Sequence, residues 1–224
     1  MSVSLDNLQH ALGYQFRDPA LMELALSHRS RGGASNERLE FLGDAVLNHT
    51  IAEALYERFP DAPEGDLSRM RAALVCGKAL AELARDLNLG EVLRLGQADR
   101  KSGVRRRDSV LADALEALLG AISRDGGREV VRERILDLFA DRLDTVSPQA
   151  VTKDPKSRLQ EWLQGRGDPL PDYQLAAVDG EGHQQVFTVH CAIAGQTSPF
   201  VGMGSSRQRA EQAAAENALV HIGA

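Results

Sequence analysis

Residues 36–44 read Asn36-Glu37-Arg38-Leu39-Glu40-Phe41-Leu42-Gly43-Asp44, and no other stretch decides as much about the chain. On an α-helix Glu37, Glu40 and Asp44 stand at i, i+3 and i+7, within one narrow stripe. Leu39, Leu42, Val46 and Leu47 take neighbouring positions, so the acids border a buried face. Like charges one turn apart cost an exposed helix a few tenths of a kcal/mol, and more when desolvated, so something positive should compensate them. A second acidic pair, Asp113 and Glu116 at i and i+3, lies inside the most apolar helical stretch, Val110-Leu111-Ala112-Asp113-Ala114-Leu115-Glu116-Ala117-Leu118-Leu119-Gly120. If the two helices pack together, four carboxylates converge. All-oxygen ligation of that kind suits a hard cation such as Mg²⁺ or Mn²⁺, which activates water and stabilises the oxygens of a phosphoryl displacement. Spacing alone allows a plainer alternative equally well: salt bridges to Arg38, Arg69, Arg71, Arg106 or Arg107.

Outward from this stretch the pattern stays helical from Leu5 to about Leu143. Leu5, Leu8 and Leu12 repeat at helical spacing, as do Leu21, Leu24 and Ala25 after Pro19. The spacing predicts a helix over Glu37–Phe59, ending before Pro60, Pro63 and Gly65. It predicts others from about Leu67 (capped by Asp66 or Ser68), over Lys78–Leu87 before an Asn88-Leu89-Gly90 stop, over Ser109–Ser123, and over Glu129–Leu143. Thr145–Pro155 has two prolines and no periodicity and reads as a linker. Beyond it a helix over Pro155–Gln164 is followed by alternating stretches at Asp172–Val178 and Gln185–Ile193. A hairpin signal, Asp179-Gly180-Glu181-Gly182, lies between those two. A short strand at Phe200–Met203 and a helix from Ser205 to about His221 complete an α-β-β-β-α order. The expected architecture is multidomain: an all-α domain over 1–146, a linker over 147–153, and a small α+β domain over 154–224.

The 224 residues suffice for two small domains or one large one, and 43% of them are apolar with few aromatics, which favours packed helices. Cys76 and Cys191 fit no metal spacing, and neither a leader nor an apolar run of membrane-span length is present. The expectation is a soluble protein of the reducing cytoplasm. A net charge of −6 argues at first against a nucleic-acid partner. Carboxylates that hold cations lower the net charge without lining an RNA surface, so composition alone decides nothing.

Residues 36–44 resemble the signature of the ribonuclease III family, which carries this string almost unaltered. The resemblance extends to Ser27-His28-Arg29-Ser30 before it, to Glu64-Gly65-Asp66-Leu67-Ser68-Arg69-Met70-Arg71 after it, and to Ser109–Gly120 as the family's second acidic helix. It implies an endoribonuclease that hydrolyses the phosphodiester bonds of double-stranded RNA by divalent-metal-activated water. Mg²⁺ is the implied cofactor, with Mn²⁺ able to substitute. Glu40, Asp113 and Glu116 match the family's metal ligands. Asp44 and Glu116 match the residues most directly tied to catalysis, and Glu37 and Glu64 match acids at the edge of the catalytic valley. A homodimer through the nuclease domain is implied, with Phe41 a candidate interface residue. So are 5′-phosphate and 3′-hydroxyl ends with short 3′ overhangs, and ribosomal-RNA precursors and structured messenger RNAs as targets. One segment departs from the family: Ala98 stands where glycine is usual and Asp99 where glutamate is usual, which predicts altered loop detail rather than lost activity.

Residues from about Asp154 onward resemble a double-stranded-RNA-binding domain. The residues that carry this are Leu159-Gln160-Glu161-Trp162-Leu163-Gln164, a Gly-His turn, and Gly202-Met203-Gly204-Ser205-Ser206-Arg207 opening the last helix. The resemblance implies that Gln160 and Gln164 reach one minor groove of A-form RNA and His183 the next. Ser205, Ser206, Arg207 and Arg209 would meet phosphate at the last helix's N-terminus. Three lysines are usual on that helix, whereas Arg207, Gln208 and Glu211 stand here, so affinity should be modest. His28, His190 and Trp162 read as structural. Two rival readings are a non-catalytic RNA-binding scaffold, which loss of a ligand would mark, and a helical phosphohydrolase of small nucleotides, which has no use for an RNA-binding module. All four central acids are present.

Overall fold

The computed structural model describes residues 5–99, 102–148, 154–180 and 185–223. The chain divides into two compact units, Met1–Val151 and Thr152–Ala224. The first is helical: α1 Leu5–Leu12, α2 Pro19–Ala25, α3 Glu37–Arg58, α4 Glu64–Val75, α5 Gly77–Asp86, α6 Leu89–Val92, α7 Asp108–Gly126, α8 Arg128–Leu138 and α9 Ala140–Thr145. Single 3-10 turns lie at Arg29–Arg31 and Val104–Arg106.

Helix α7 is the axis of this unit. From Val110 to Ile122 every residue except Asp113 and Glu116 is buried, because α2, α3, α5 and α8 pack around it. A helix apolar on nearly all sides has to be enclosed in this way. Its longest contact is with α3, and the two backbones touch. A Cβ added at Gly43 would lie 1.8 Å from the Glu116 carbonyl oxygen, and one at Gly120 would lie 2.1 Å from that of Leu39. Only glycine permits so close a crossing.

Several boundaries differ from the periodicity. Helix α4 begins at Glu64, not near Leu67, with Pro63 before it and neither Asp66 nor Ser68 as a cap. Glu64 and Asp66 in its first turn complement the helix dipole, so a proline–glycine cluster that reads as loop starts a helix. The stop before Asn88 holds, since α5 ends at Asp86 and Asn88 is left-handed (φ 55°), but Leu89 and Gly90 do not stay in the stop and open the single turn α6. The predicted helix Glu129–Leu143 is two, α8 and α9, broken at Phe139, whose ring is fully buried and whose backbone leaves the helical region (φ −102°, ψ 5°). Helix α7 runs three residues past Ser123, to a positive-φ glycine at 127.

The second unit has α10 Pro155–Arg166, β1 Asp172–Asp179, β2 Val186–Ala192, β3 Phe200–Gly204 and α11 Arg207–Ile222. The strands form one antiparallel sheet in the order β1-β2-β3, with a bulge between Leu175 and Ala177. Both helices pack on a core of Leu159, Leu163, Cys191, Ile193 and the small residues Ala214, Ala215 and Ala218. Glycine again sets a close approach: a Cβ at Gly202 would lie 2.1 Å from the Ala214 backbone nitrogen, so β3 lies directly on α11. Helix α11 starts two residues later than Ser205, because the Ser206 hydroxyl caps it by accepting from the Arg209 backbone N–H (3.3 Å). Trp162 packs against this core half-buried, with the Arg166 guanidinium 4.6 Å over its ring. His190, half-buried in β2, pairs across the sheet with Gln174 and Val201. Of the hairpin signal Asp179-Gly180-Glu181-Gly182, Glu181 and Gly182 lie outside the described residues. Both cysteines are free. Among the described residues no helix is long and apolar enough to cross a membrane.

Candidate active site and RNA interface

The Gly43–Gly120 crossing assembles the site. On α3, Glu40 lies three residues before Gly43 and Asp44 one residue after it; on α7, the partly exposed Asp113 and Glu116 are the only polar breaks between Val110 and Ile122. Carboxylate oxygens of Glu40, Asp113 and Glu116 all lie within 4.8 Å of one another, a spacing that suits a single cation. Asp44 is exposed beside them, and the Asn48 side-chain amide donates to its Oδ1 (2.8 Å) and to its backbone carbonyl (3.0 Å). Among the described residues none of these four acids forms an ion pair with an arginine or lysine. Arg69, one of the cations that spacing offered as a neutralising partner, is paired with Asp66 instead.

The electrostatics follow from that geometry. Burial pushes the Glu116 carboxyl up to about 7, helped by the charges of Asp44, Asp113 and Glu40. Burial also raises Glu40, with Asp113 and Glu37 adding to it and Arg29 opposing. Asp113 is raised by burial and restrained by the positive potential of His28 and Arg29. Three partly desolvated carboxylates with raised proton affinity, and no ion-paired counter-ion among the described residues, form a donor set that suits a divalent cation.

A cleft of about 590 Å³ opens over Glu40 and Asp113, with His28, Ser30, Asp99 and Arg107 among its walls. One wall is sewn in place from two distant segments. Arg94 donates its backbone N–H to Leu26 (2.9 Å), His28 donates to Arg94 (3.1 Å), and Gly96 donates to the Ser30 hydroxyl (3.1 Å). A Cβ at Gly96 would lie 2.1 Å from the Ser30 carbonyl oxygen. His28 caps the turn at Arg29–Arg31 through its Nδ1, as a structural residue does, yet its ring also lines the cleft, 4.0 Å from Asp99. That second role was missed in the sequence, where nothing marks a histidine outside the helices as facing the acids. The short side chain of Asp99 still reaches this partner.

Glu37 also lines the cleft without joining the three-acid cluster. It accepts from the Ser35 hydroxyl (2.8 Å) and lies 3.8 Å from Arg29. Glu64 is exposed at the start of α4, holds the Ser68 hydroxyl (2.6 Å), and neither lines the cleft nor enters the cluster.

In the second unit Gln160 and Gln164 are exposed on α10, and Ser205, Arg207 and Arg209 are exposed around the start of α11. Arg209 donates to the Ser205 hydroxyl (2.9 Å), while Arg207 donates to Glu211 (2.9 Å). His183 lies outside the described residues.

Residues 18–143 match the family model described as ribonuclease-III-like, and residues 155–222 match that of the double-stranded RNA binding motif. A curated protein named ribonuclease 3, from Vibrio atlanticus, is 54% identical over 222 residues, covering 99% of either chain. Two solved structures of the nuclease domain of Campylobacter jejuni ribonuclease III are also similar. One is 40% identical with a TM-score of 0.61, covering 64% of this chain and 99% of its own. The other, which describes flexibility in a region involved in dimer formation, is 42% identical with a TM-score of 0.60, covering 62% and 97%. A helical nuclease unit with converging carboxylates, an α-β-β-β-α unit after it, and full-length similarity together establish that the chain belongs to the ribonuclease III family, as an endoribonuclease acting on double-stranded RNA.

Proposed function

We propose that Glu40, Asp113 and Glu116 hold a divalent cation, Mg²⁺ with Mn²⁺ able to substitute, and that Asp44 acts beside them on the attacking water. The observation that carries this reading is the cluster itself: three carboxylates within 4.8 Å, none ion-paired to an arginine or lysine among the described residues. When bound, the cation supplies Lewis-acid stabilisation of the phosphoryl oxygens and a more acidic water. The chain's own residues do the rest. Asn48 occupies one oxygen of Asp44 and so orients the carboxylate, leaving its second oxygen to accept a proton. Glu37, on the cleft wall, acts in an auxiliary role, whereas the same role for Glu64 has no support from its position off the cleft. In the second unit, Gln160, Gln164 and His183 meet successive minor grooves, and Ser205, Ser206, Arg207 and Arg209 meet phosphate.

The nuclease unit works as a homodimer, its paired sites cutting opposite strands to leave 5′-phosphate and 3′-hydroxyl ends with short 3′ overhangs. Phe41 supports the dimer. Its ring is 79% exposed, beside a groove lined by Leu21, Leu24, Leu42 and Arg124. An exposed aromatic next to an apolar groove fits a two-fold contact in which each copy fills the other's groove. Segment 147–153 joins the units, and the targets are ribosomal-RNA precursors and structured messenger RNAs in the cytoplasm, recognised by helical shape.

Cleavage of an end-labelled RNA hairpin tests the cation site. Cutting is expected with Mg²⁺ or Mn²⁺, none with a chelator, and a loss of about 100-fold or more in Asp113→Asn at fixed Mg²⁺. Metal-independent cutting, or full activity in that variant, overturns the assignment. Phe41→Glu tests the dimer: sedimentation should show a monomer with an intact helical spectrum, and a dimer of unchanged affinity would reject the interface.

A further inference from the structure

Arg207 and Arg209 stand where the second unit is read as meeting phosphate, at the start of α11, and a third cation, Lys156 at the start of α10, is joined to that site through Glu211. Two of them are already engaged by one acid. Lys156 Nζ donates to Oε2 of Glu211 (2.6 Å), and Arg207 Nε donates to its Oε1 (2.9 Å). Each oxygen of the carboxylate therefore serves one cation, and the cations come from two different helices. The Glu211 side chain is only 13% exposed, whereas those of Lys156 and Arg207 are 33% and 60% exposed. The acid is thus covered by the cations that solvent and ligand can reach. Lys156 is held further by the Tyr173 ring, 4.5 Å from its ammonium, and by its own backbone N–H, which donates to Gln212 (3.0 Å). Arg209 differs: among the described residues its side chain binds the Ser205 hydroxyl and no acid.

We propose that Glu211 is an internal counter-ion that stands in for RNA phosphate at Lys156 and Arg207 and so sets the affinity of the second unit for duplex RNA. A carboxylate with an oxygen on each cation presents them with what the two non-bridging oxygens of a phosphodiester would present. An incoming backbone then meets a triad of net charge +1, with both cations already engaged, instead of two free cations, and binding either displaces Glu211 or forgoes both contacts. Lys156 first, and then Arg207, holds the Glu211 carboxyl below the usual carboxylate range, so the counter-ion stays charged at neutral pH. Phosphate contacts dominate the affinity and salt dependence of nucleic-acid binding, so an acid in this position lowers both. The inference rests on reading the start of α11 as phosphate-binding.

The test uses the full chain with Ca²⁺ in place of Mg²⁺ to suppress cutting. Binding to a short labelled RNA duplex is followed by fluorescence anisotropy across a salt series. Glu211→Gln is expected to lower Kd about fivefold or more near 0.1 M salt and to steepen log Kd against log salt by about one to two. Glu216→Gln, on the same helix and paired with Arg158, makes the same charge change and should do neither. Lys156→Gln is expected to alter Kd by less than about twofold in the natural chain but to cost about threefold or more in the Glu211→Gln background. The proposal is overturned if Glu211→Gln binds no more tightly than Glu216→Gln, or if Lys156→Gln costs the same in both backgrounds. Thermal melts detect a Glu211→Gln chain that does not fold. In that case Lys156→Gln alone decides, since a near-silent substitution supports a neutralised lysine and a clear loss of affinity refutes it. A natural chain that fails to bind the duplex at all refutes the interface itself, and the counter-ion with it.

Discussion

Adding one methyl group at residue 43 is expected to unfold the nuclease unit or leave it nearly inactive. The Cβ of Gly43→Ala would lie 1.8 Å from the carbonyl oxygen of Glu116 and 2.5 Å from its carbonyl carbon. Both are backbone atoms in the middle of the most buried helix, so no side-chain rotation relieves the overlap, and α3 and α7 must separate. Overpacking of this kind, compounded by the loss of helix–helix contact, is expected to cost about 3–5 kcal/mol. The separation also moves Glu40 and Asp44 away from Asp113 and Glu116. Molecules that do fold should therefore cut RNA about 100-fold more slowly, the size of loss that a displacement of about 1 Å can produce. A urea titration read by circular dichroism measures the first effect and hairpin cleavage the second. Unchanged stability in Gly43→Ala would show that the crossing is looser than described here. Gly120→Ala, with its contact of 2.1 Å to Leu39, should behave in the same way.

Replacing Glu116 by glutamine is expected to reduce cleavage by about 1000-fold or more while leaving RNA binding in Ca²⁺ close to natural, because a neutral amide cannot balance a divalent cation. The same substitution should stabilise the metal-free protein at alkaline pH. The Glu116 carboxyl is raised from 4.5 to about 7 on folding, so between those values the native state binds more protons than the unfolded one. Stability attributable to this group is therefore greatest below pH 4.5 and is lost as pH rises through about 7. Discounted for its partial exposure, the cost at pH 8 is about 1–2 kcal/mol. Glu116→Gln removes that cost, and so does Mg²⁺ bound to the natural chain. Melting curves at pH 8, with and without Mg²⁺, should show the natural protein gaining from the metal and the variant gaining little. Cleavage by the natural protein should decline as pH falls below about 7, where a proton competes with the cation for Glu116. A natural protein whose melting temperature ignores Mg²⁺ at pH 8 would rule out this account.

The acids of the candidate site were visible in sequence because their spacing is local, although spacing left salt bridges open and only the family resemblance favoured a metal. Glu40 and Asp44 share a helical face, and Asp113 and Glu116 are conspicuous in a helix of alanine and leucine. What brings the pairs together was not legible. Nothing marks Gly43 and Gly120 as partners, since a glycine's role in a crossing lies in the atoms that approach it and not in its neighbours along the chain. The cleft wall escaped for the same reason: Leu26–Ser30 and Arg94–Gly96 meet through two backbone–backbone hydrogen bonds and one to the Ser30 hydroxyl, a pairing of distant segments that local sequence does not signal. Helix boundaries failed at Phe139, where burial at a break overrode the periodicity, and at Pro63-Glu64-Gly65, where proline and glycine hid a helix start that the first-turn acids favour. In the second unit the i, i+4 pair Arg207–Glu211 was open to inspection. The third member, Lys156, lies on the other helix and has no sequence relation to them.

The crossing of α3 with α7 also determines when the enzyme comes into being during synthesis. A ribosome that has released the chain through α5 has delivered Glu40 and Asp44 but neither acid of the opposing pair, and the glycine between them faces no partner. The carboxylates meet only after α7 has emerged and docked, by which point α2, α3 and α5, three of the helices that surround it, have already been made. The cation site proposed above therefore does not exist on the nascent chain for the first half of its synthesis.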